Sequence, residues 1–183
     1  MHKLISIALL SSISLAFVSS AHAAPTDEAK LAFAVAKDAA AADYKINRAK
    51  CDSLAGNPKE VCIAESKATE KSAGAEAEAR YKSTDKARAA ARKDIANANY
   101  DVAKTKCDNM KGNPKDVCIA EAKSARVAGV EDAKADKKVA DARKDAADDK
   151  RDAEHKVATE KCEALGGAAK DGCVKQVKAR FNK

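Results

Sequence analysis

Six cysteines, a single histidine outside the leader segment described below, and a dense scatter of carboxylates are the residues of this 183-residue chain whose types could do chemistry. Cys51, Cys107 and Cys162 are followed, after ten intervening residues each, by Cys62, Cys118 and Cys173. Paired thiols can exchange disulfides, hold zinc or form structural bridges. No C-x-x-C occurs, so a thioredoxin-like exchange site has no support. Zinc bound by thiolates belongs to a reducing compartment, against which the leader argues. His155 stands seven residues before Cys162, where Tyr44 and Tyr100 precede Cys51 and Cys107. That makes it a packing position rather than a ligand or general base. Lys and Arg interrupt every carboxylate cluster, and no EF-hand-like loop with its central glycine is present, which leaves calcium without a site. The expectation is therefore no catalytic residue, no cofactor and no metal, with the cysteines acting as staples.

The start of the chain sets the compartment. Residues 1–23 read as a signal peptide: a short basic start (His2, Lys3), the apolar stretch "LISIALLSSISLAFV" and a small-residue exit "AHA". This apolar run is shorter and more serine-broken than the ~20 residues a spanning helix needs. The expected location is periplasmic. Removing Lys3 with the leader leaves 34 basic against 28 acidic side chains, a formal +6. Leu, Ile, Val and Phe make up only about 12% of the remainder, below the ~20% at which disorder becomes a serious alternative. The filler, however, is Ala, Lys, Glu, Asp and Arg rather than Pro, Gly, Ser or Gln. Alanine, lysine and glutamate lose little on entering a helix, and runs of β-branched and aromatic residues that would make strands are missing. An all-α chain of individually marginal helices follows.

Internal repetition organises those helices. "KCDSLAGNPKEVCIAE" (Lys50–Glu65) returns as "KCDNMKGNPKDVCIAE" (Lys106–Glu121), and "CEALGGAAKDGC" from Cys162 is a weaker third copy. In the first phrase Gly56 tolerates the left-handed conformation and stops one helix. Asn57 is then read as N-cap of the next, Pro58 as its first residue and Glu60 as a capping-box carboxylate. Gly112, Asn113, Pro114 and Asp116 repeat these devices. Each cysteine lies about one turn from the reversal, so an antiparallel hairpin brings the two level. Six cysteines allow 15 pairings, and the repetition favours the local ones: Cys51–Cys62, Cys107–Cys118 and Cys162–Cys173. A loop of this length is worth roughly 3 kcal/mol on the chain-entropy account.

The expected architecture is thus three Cys-x10-Cys stapled helix-turn-helix repeats with coiled-coil-like arms: 24–85, 86–141 and a truncated 142–183. Apolar bulk flanks the turns and is expected to form small cores there: Ile46, Leu54, Val61 and Ile63 at the first, Tyr100, Val102, Met110, Val117 and Ile119 at the second, and Val157, Leu165, Val174, Val177 and Phe181 at the third. Arms from Lys59 to Met110 and from Lys115 to Leu165 would run ~75 Å if continuous. Gly74, Gly129 and the "STD" at Ser83–Asp85 are candidate breaks, among which the sequence does not choose. Ala91, Ile95, Ala98 and Val102 form an alanine-rich packing seam.

The leader, the Ala/Lys/Glu-rich arms and the "KCD..(G)NPK(D/E)VCIAEAK"-like unit resemble exported bacterial Ala/Lys-rich helical repeat proteins labelled hypothetical or TolA-like envelope proteins. The resemblance covers the three cysteine units, and it implies a periplasmic helical build without an assigned activity. The functional expectation is a non-enzymatic scaffold, spacer or envelope-stress protein stabilised by local disulfides. The alternative is a cationic binding module for anionic lipid, lipopolysaccharide or a partner helix. Expected partners are a second copy or another helical envelope protein, and weakly an anionic lipid surface. Nucleic acid is excluded because acidic residues interrupt every basic run and export removes the partner.

Overall fold

The structure is a computed structural model that describes residues 26–183; the expected signal peptide lies outside the described residues. These fold into five helices, with no strand among them: α1 (Asp27–Lys50), α2 (Gly56–Lys82), α3 (Asp85–Cys107), α4 (Gly112–Glu163) and α5 (Gly167–Phe181). Local chemistry starts two of them. The Thr26 and Thr84 hydroxyls accept the N–H groups of Ala29 and Ala87, at 3.1 Å each, at the heads of α1 and α3. Asp27, Glu28 and Asp85 follow in the first turns, and Arg48, Lys50, Lys104 and Lys106 close the last, each sign matching the helix dipole.

The helices run alternately up and down, each packed on its chain neighbours only. α1 touches α2, α2 touches α3, α3 touches α4 and α4 touches α5, while α1 reaches neither α3 nor α4. The result is an open single layer of helices, with the nearest-neighbour logic of a solenoid. Antiparallel level is fixed by Phe33 stacked on Tyr81 at 4.9 Å, by the Arg92–Asp136 ion pair and by Lys183–Asp152 at 2.9 Å.

Alanine makes the core. Ala40, Ala77, Ala91, Ala98, Ala122 and Ala133 are buried between helices, where small side chains allow close approach. Of the anticipated seam, Ala91 and Ala98 are buried, and Ile95 and Val102 are half-buried. The expectation of apolar cores at the turns holds only in part: Val61, Ile63, Ile119, Val174 and Val177 are half-buried and Phe181 is buried. Leu54, Met110, Val117 and Leu165 are all more than 40% exposed, because each reversal is too tight to fold a large side chain beneath itself. Beneath it sit the bridges, with Cys51, Cys107 and Cys162 completely buried.

The two arms differ. The first breaks at Ser83, which takes a left-handed φ of 47°, and restarts at the capping Thr84. The second is one continuous helix of 52 residues, about 78 Å long at 1.5 Å per residue. Gly74 and Gly129 interrupt neither helix. The place in α4 that matches Ser83–Thr84, 56 residues on, holds Val139–Ala140, which offers no cap. The anticipated boundary at 85/86 therefore falls at a chain reversal, whereas the one at 141/142 falls inside unbroken helix.

This asymmetry separates the turns. The first two lie side by side at one end of the layer, and the third stands at the far end of α4. Between the pairings to α3 and to α5, α4 travels alone: from Asp141 to Glu154 every residue except Asp148 is exposed. That span is laced by Lys137–Asp141 (2.5 Å), Lys144–Asp148 (3.2 Å) and Arg151–Asp148 (3.5 Å), pairs that each support an isolated helix by a few tenths of a kcal/mol.

Candidate functional site

The three clasped turns concentrate the distinctive residues. Their disulfides join Cys51–Cys62, Cys107–Cys118 and Cys162–Cys173, with Cα–Cα distances of 5.6, 5.8 and 5.6 Å, within the range a relaxed bridge occupies. These are the local pairings the repetition favours. In each pair the leading cysteine is buried and the trailing one half-buried.

At the first turn α1 tightens into a 3-10 turn at Cys51–Ser53, with the Leu54 N–H donating to the Cys51 carbonyl at 3.1 Å. Leu54 and Ala55 are extended, and Gly56 then takes φ +60°. Gly112 (φ +59°) and Gly167 (φ +52°) repeat this conformation, which glycine adopts without steric penalty. The position of Gly56 differs from expectation. It opens the second helix rather than ending the first, whose stop comes earlier at the 3-10 turn.

Asn57 is likewise corrected. The residue preceding α2 is Ala55, which makes no side-chain cap, and Asn57 instead donates from Nδ2 to the Thr105 carbonyl in the last turn of α3, at 2.8 Å. Asn113 holds no cap either, since α4 is preceded by Lys111. Glu60 and Asp116 lie past the first turn of their helices and are too far in to close the anticipated capping boxes. Pro58 and Pro114 do sit in first turns, where a missing N–H has no partner to lose. What starts α2 and α4 is the left-handed glycine and the bridge, not a side-chain cap.

Sequence reasoning missed an ionic latch across each turn. Lys59 meets Asp52 at 3.3 Å, Lys115 meets Asp108 at 3.2 Å and Lys170 meets Glu163 at 2.6 Å. The signal was present: an acid immediately after each leading cysteine and a lysine eight residues after it, retained even in the divergent third unit. Arg48 also reaches Asp52, at 2.8 Å. Hydrogen bonds from Arg48 and then Lys59 hold the Asp52 carboxyl below the usual carboxylate range. His155 packs edge-on to the ring of Phe181 at 5.4 Å, the counterpart of Tyr100 beneath the Arg126 guanidinium at 4.9 Å.

This arrangement is built to hold the chain in reversal. The groove between α2 and α3, lined by Ala68, Ser72, Ala73, Asn99, Val102 and Ala103, is shallow and open. Among the described residues no cluster of three or more His, Cys, Asp or Glu could hold a metal ion, and no helix is long and apolar enough to cross a membrane. Three disulfides are what an oxidising compartment supports. Compared with protein families, with curated proteins and with solved structures, the chain matches none.

Proposed function

We propose that this protein is a non-enzymatic spacer of the periplasm, a stiff strut that holds two clasped ends apart. One observation carries the reading: α4 runs unbroken for 52 residues and its middle is covered by nothing. A helix that buries no face there gains no core and is retained for its length. Its i,i+4 ion pairs supply the support that burial does not, and the bridges keep the hairpins at its ends from fraying. Export to an oxidising compartment supports the same role, since the bridges persist there. The cationic-module alternative draws less support, because carboxylates are interleaved with the cations throughout α4 and pair with several of them.

Small-angle scattering of the oxidised chain lacking residues 1–23 tests this. The expected result is a maximum dimension of at least about 78 Å, set by the 1.5 Å rise of α4. The radius of gyration should exceed about 20 Å, against about 15 Å for a compact domain of this size. A compact particle would show α4 folding back on itself and end the spacer reading.

A further inference from the structure

The layer has two edges, and the repeat shows what each would pack against. Offset by 56 residues, α1 corresponds to α3 and the first half of α4 to α2, as Tyr44/Tyr100, Cys51/Cys107 and Cys62/Cys118 record. Helix α3 uses two opposite faces. Ala89, Ala96, Tyr100 and Cys107 turn to α4, while Ala87, Ala91, Ala98 and Val102 turn to α2. In α1 the counterparts of the first set, Phe33, Ala40, Tyr44 and Cys51, pack on α2. The counterparts of the second set, Leu31, Val35, Ala42 and Ile46, meet no helix, and the three large ones are 66%, 59% and 57% exposed.

The other half of the same contact is equally unused. α2 presents Val61, Ala68, Ser72 and Ala79 to α3, all buried or half-buried. The matching residues of α4, Val117, Ser124, Ala128 and Ala135, are all exposed on the side away from α3. Two of the three polar pairs follow the same correspondence; the third, Lys71–Asp101 at 3.4 Å, has Val127 and Lys45 as its counterparts and does not. Between α2 and α3, Asn57 donates to the Thr105 carbonyl at 2.8 Å and Lys106 pairs with Glu65 at 2.7 Å. Their counterparts are Asn113 with the Ala49 carbonyl, and Lys50 with Glu121. Among the described residues neither Asn113 nor Glu121 has a side-chain partner, and Lys50 bonds only the Asn47 side chain of its own helix.

We propose that the chain associates head to tail, the outer face of α4 in one copy packing on the outer face of α1 in the next as α2 packs on α3 within a copy. Two copies in the same orientation place α4, running down, beside α1, running up, so the alternation of the layer continues. Asn113 then donates to the Ala49 carbonyl of the next copy, and Glu121 pairs with its Lys50. Leu31, Val35 and Ile46 are bulkier than the residues they replace, so these helix axes stand further apart than α2 and α3 do. The distal hairpin leaves room, because α5 joins α4 only from Asp152 onward while α1 reaches no lower than the level of Val139. The contact is heterologous and does not close on itself, so it grows into an open row.

Each edge can be blocked separately at residues exposed in the single copy, Ile46→Glu on α1 and Ser124→Glu on α4, two like charges that cannot pair with each other. Both new side chains suit a helix, so the fold is undisturbed, which circular dichroism verifies. Mass is followed by sedimentation up to about 1 mM, the range of weak association. The wild type is expected to grow with concentration beyond a dimer, and each variant alone to associate at least about tenfold more weakly, because a charge is driven into an apolar contact. An equimolar mixture retains one intact pair of edges and is expected to stop at a 1:1 dimer. Wild type that stays monomeric throughout, variants that associate like wild type, or a mixture that forms no dimer would each overturn the proposal. A monomer that is still elongated leaves the spacer reading standing, so the two fail separately.

Discussion

Removing the third clasp is the most informative single perturbation. The Cys162–Cys173 bridge closes a segment with a sequence separation of 11, which on the chain-entropy account contributes about 2.8 kcal/mol. At 1.4 kcal/mol per tenfold, that is about a 100-fold change in the equilibrium between docked and released α5. Little else holds α5. Phe181 is its one buried residue, worth about 1.5–3 kcal/mol. Lys170–Glu163 and, just past the end of α5, Lys183–Asp152 are surface bridges, each worth less than about 1 kcal/mol. A 15-residue helix is marginal once detached. Hydrogen exchange read by mass spectrometry on Gly167–Phe181 is the assay, with Cys162→Ala/Cys173→Ala compared with oxidised and reduced wild type. Reduction removes the bond without removing volume, so it controls for lost packing. The α5 amides are expected to exchange about 100-fold faster in both altered forms, with α1–α3 unchanged in the double variant. Equal protection of α5 with and without the bridge would refute the reasoning, by showing that Phe181 and the turn suffice.

Two further outcomes are expected. At Gly74 an added Cβ meets nothing within 4 Å, whereas at Gly129 it would stand 3.1 Å from the Ala96 Cβ. Gly74→Ala should therefore stabilise by about 0.5–1 kcal/mol through helix propensity, while Gly129→Ala gains less or loses; equal rises in Tm for both would contradict the close approach of α3 to α4. Because Arg48 and Lys59 depress the folded Asp52 carboxyl, its contribution is present above the unfolded value of about 3.9 and disappears as pH falls through the folded value. An NMR titration placing Asp52 at or above an unperturbed aspartate would contradict the latch, and Asp52→Asn should remove this part of the pH dependence.

Much of this fold can be read from residue types. The cysteine spacing, the recurrent glycine and the alanine-rich arms carry the stapled hairpins, because each acts within a dozen residues. The breaks in the arms required weighing glycine against a cap. Gly74 costs a helix about 1 kcal/mol, which its alanine-rich neighbours absorb, whereas Ser83–Thr84–Asp85 supplies a new beginning. Asn57 misled because its residue type fits a local cap, while its partner lies 48 residues away on α3, and no local pattern encodes that. The latch from Asp52 to Lys59 is legible in all three units, as an acid one residue after and a lysine eight residues after each leading cysteine. Where the large apolar residues went was hidden for a simpler reason. With alanine filling the seams, Leu31, Val35 and Ile46 have no interior to enter.

Since each helix rests only on the ones before and after it in the chain, a duplicated hairpin could be spliced in without repacking any other. What such an insertion does to the shape is decided by a dipeptide. A Ser-Thr pair midway along an arm folds it in two and widens the sheet of helices by one hairpin; a Val-Ala pair at the same place keeps it straight and carries the next reversal tens of ångströms outward. The protein thus holds both growth rules in one chain, breadth in its first arm and reach in its second.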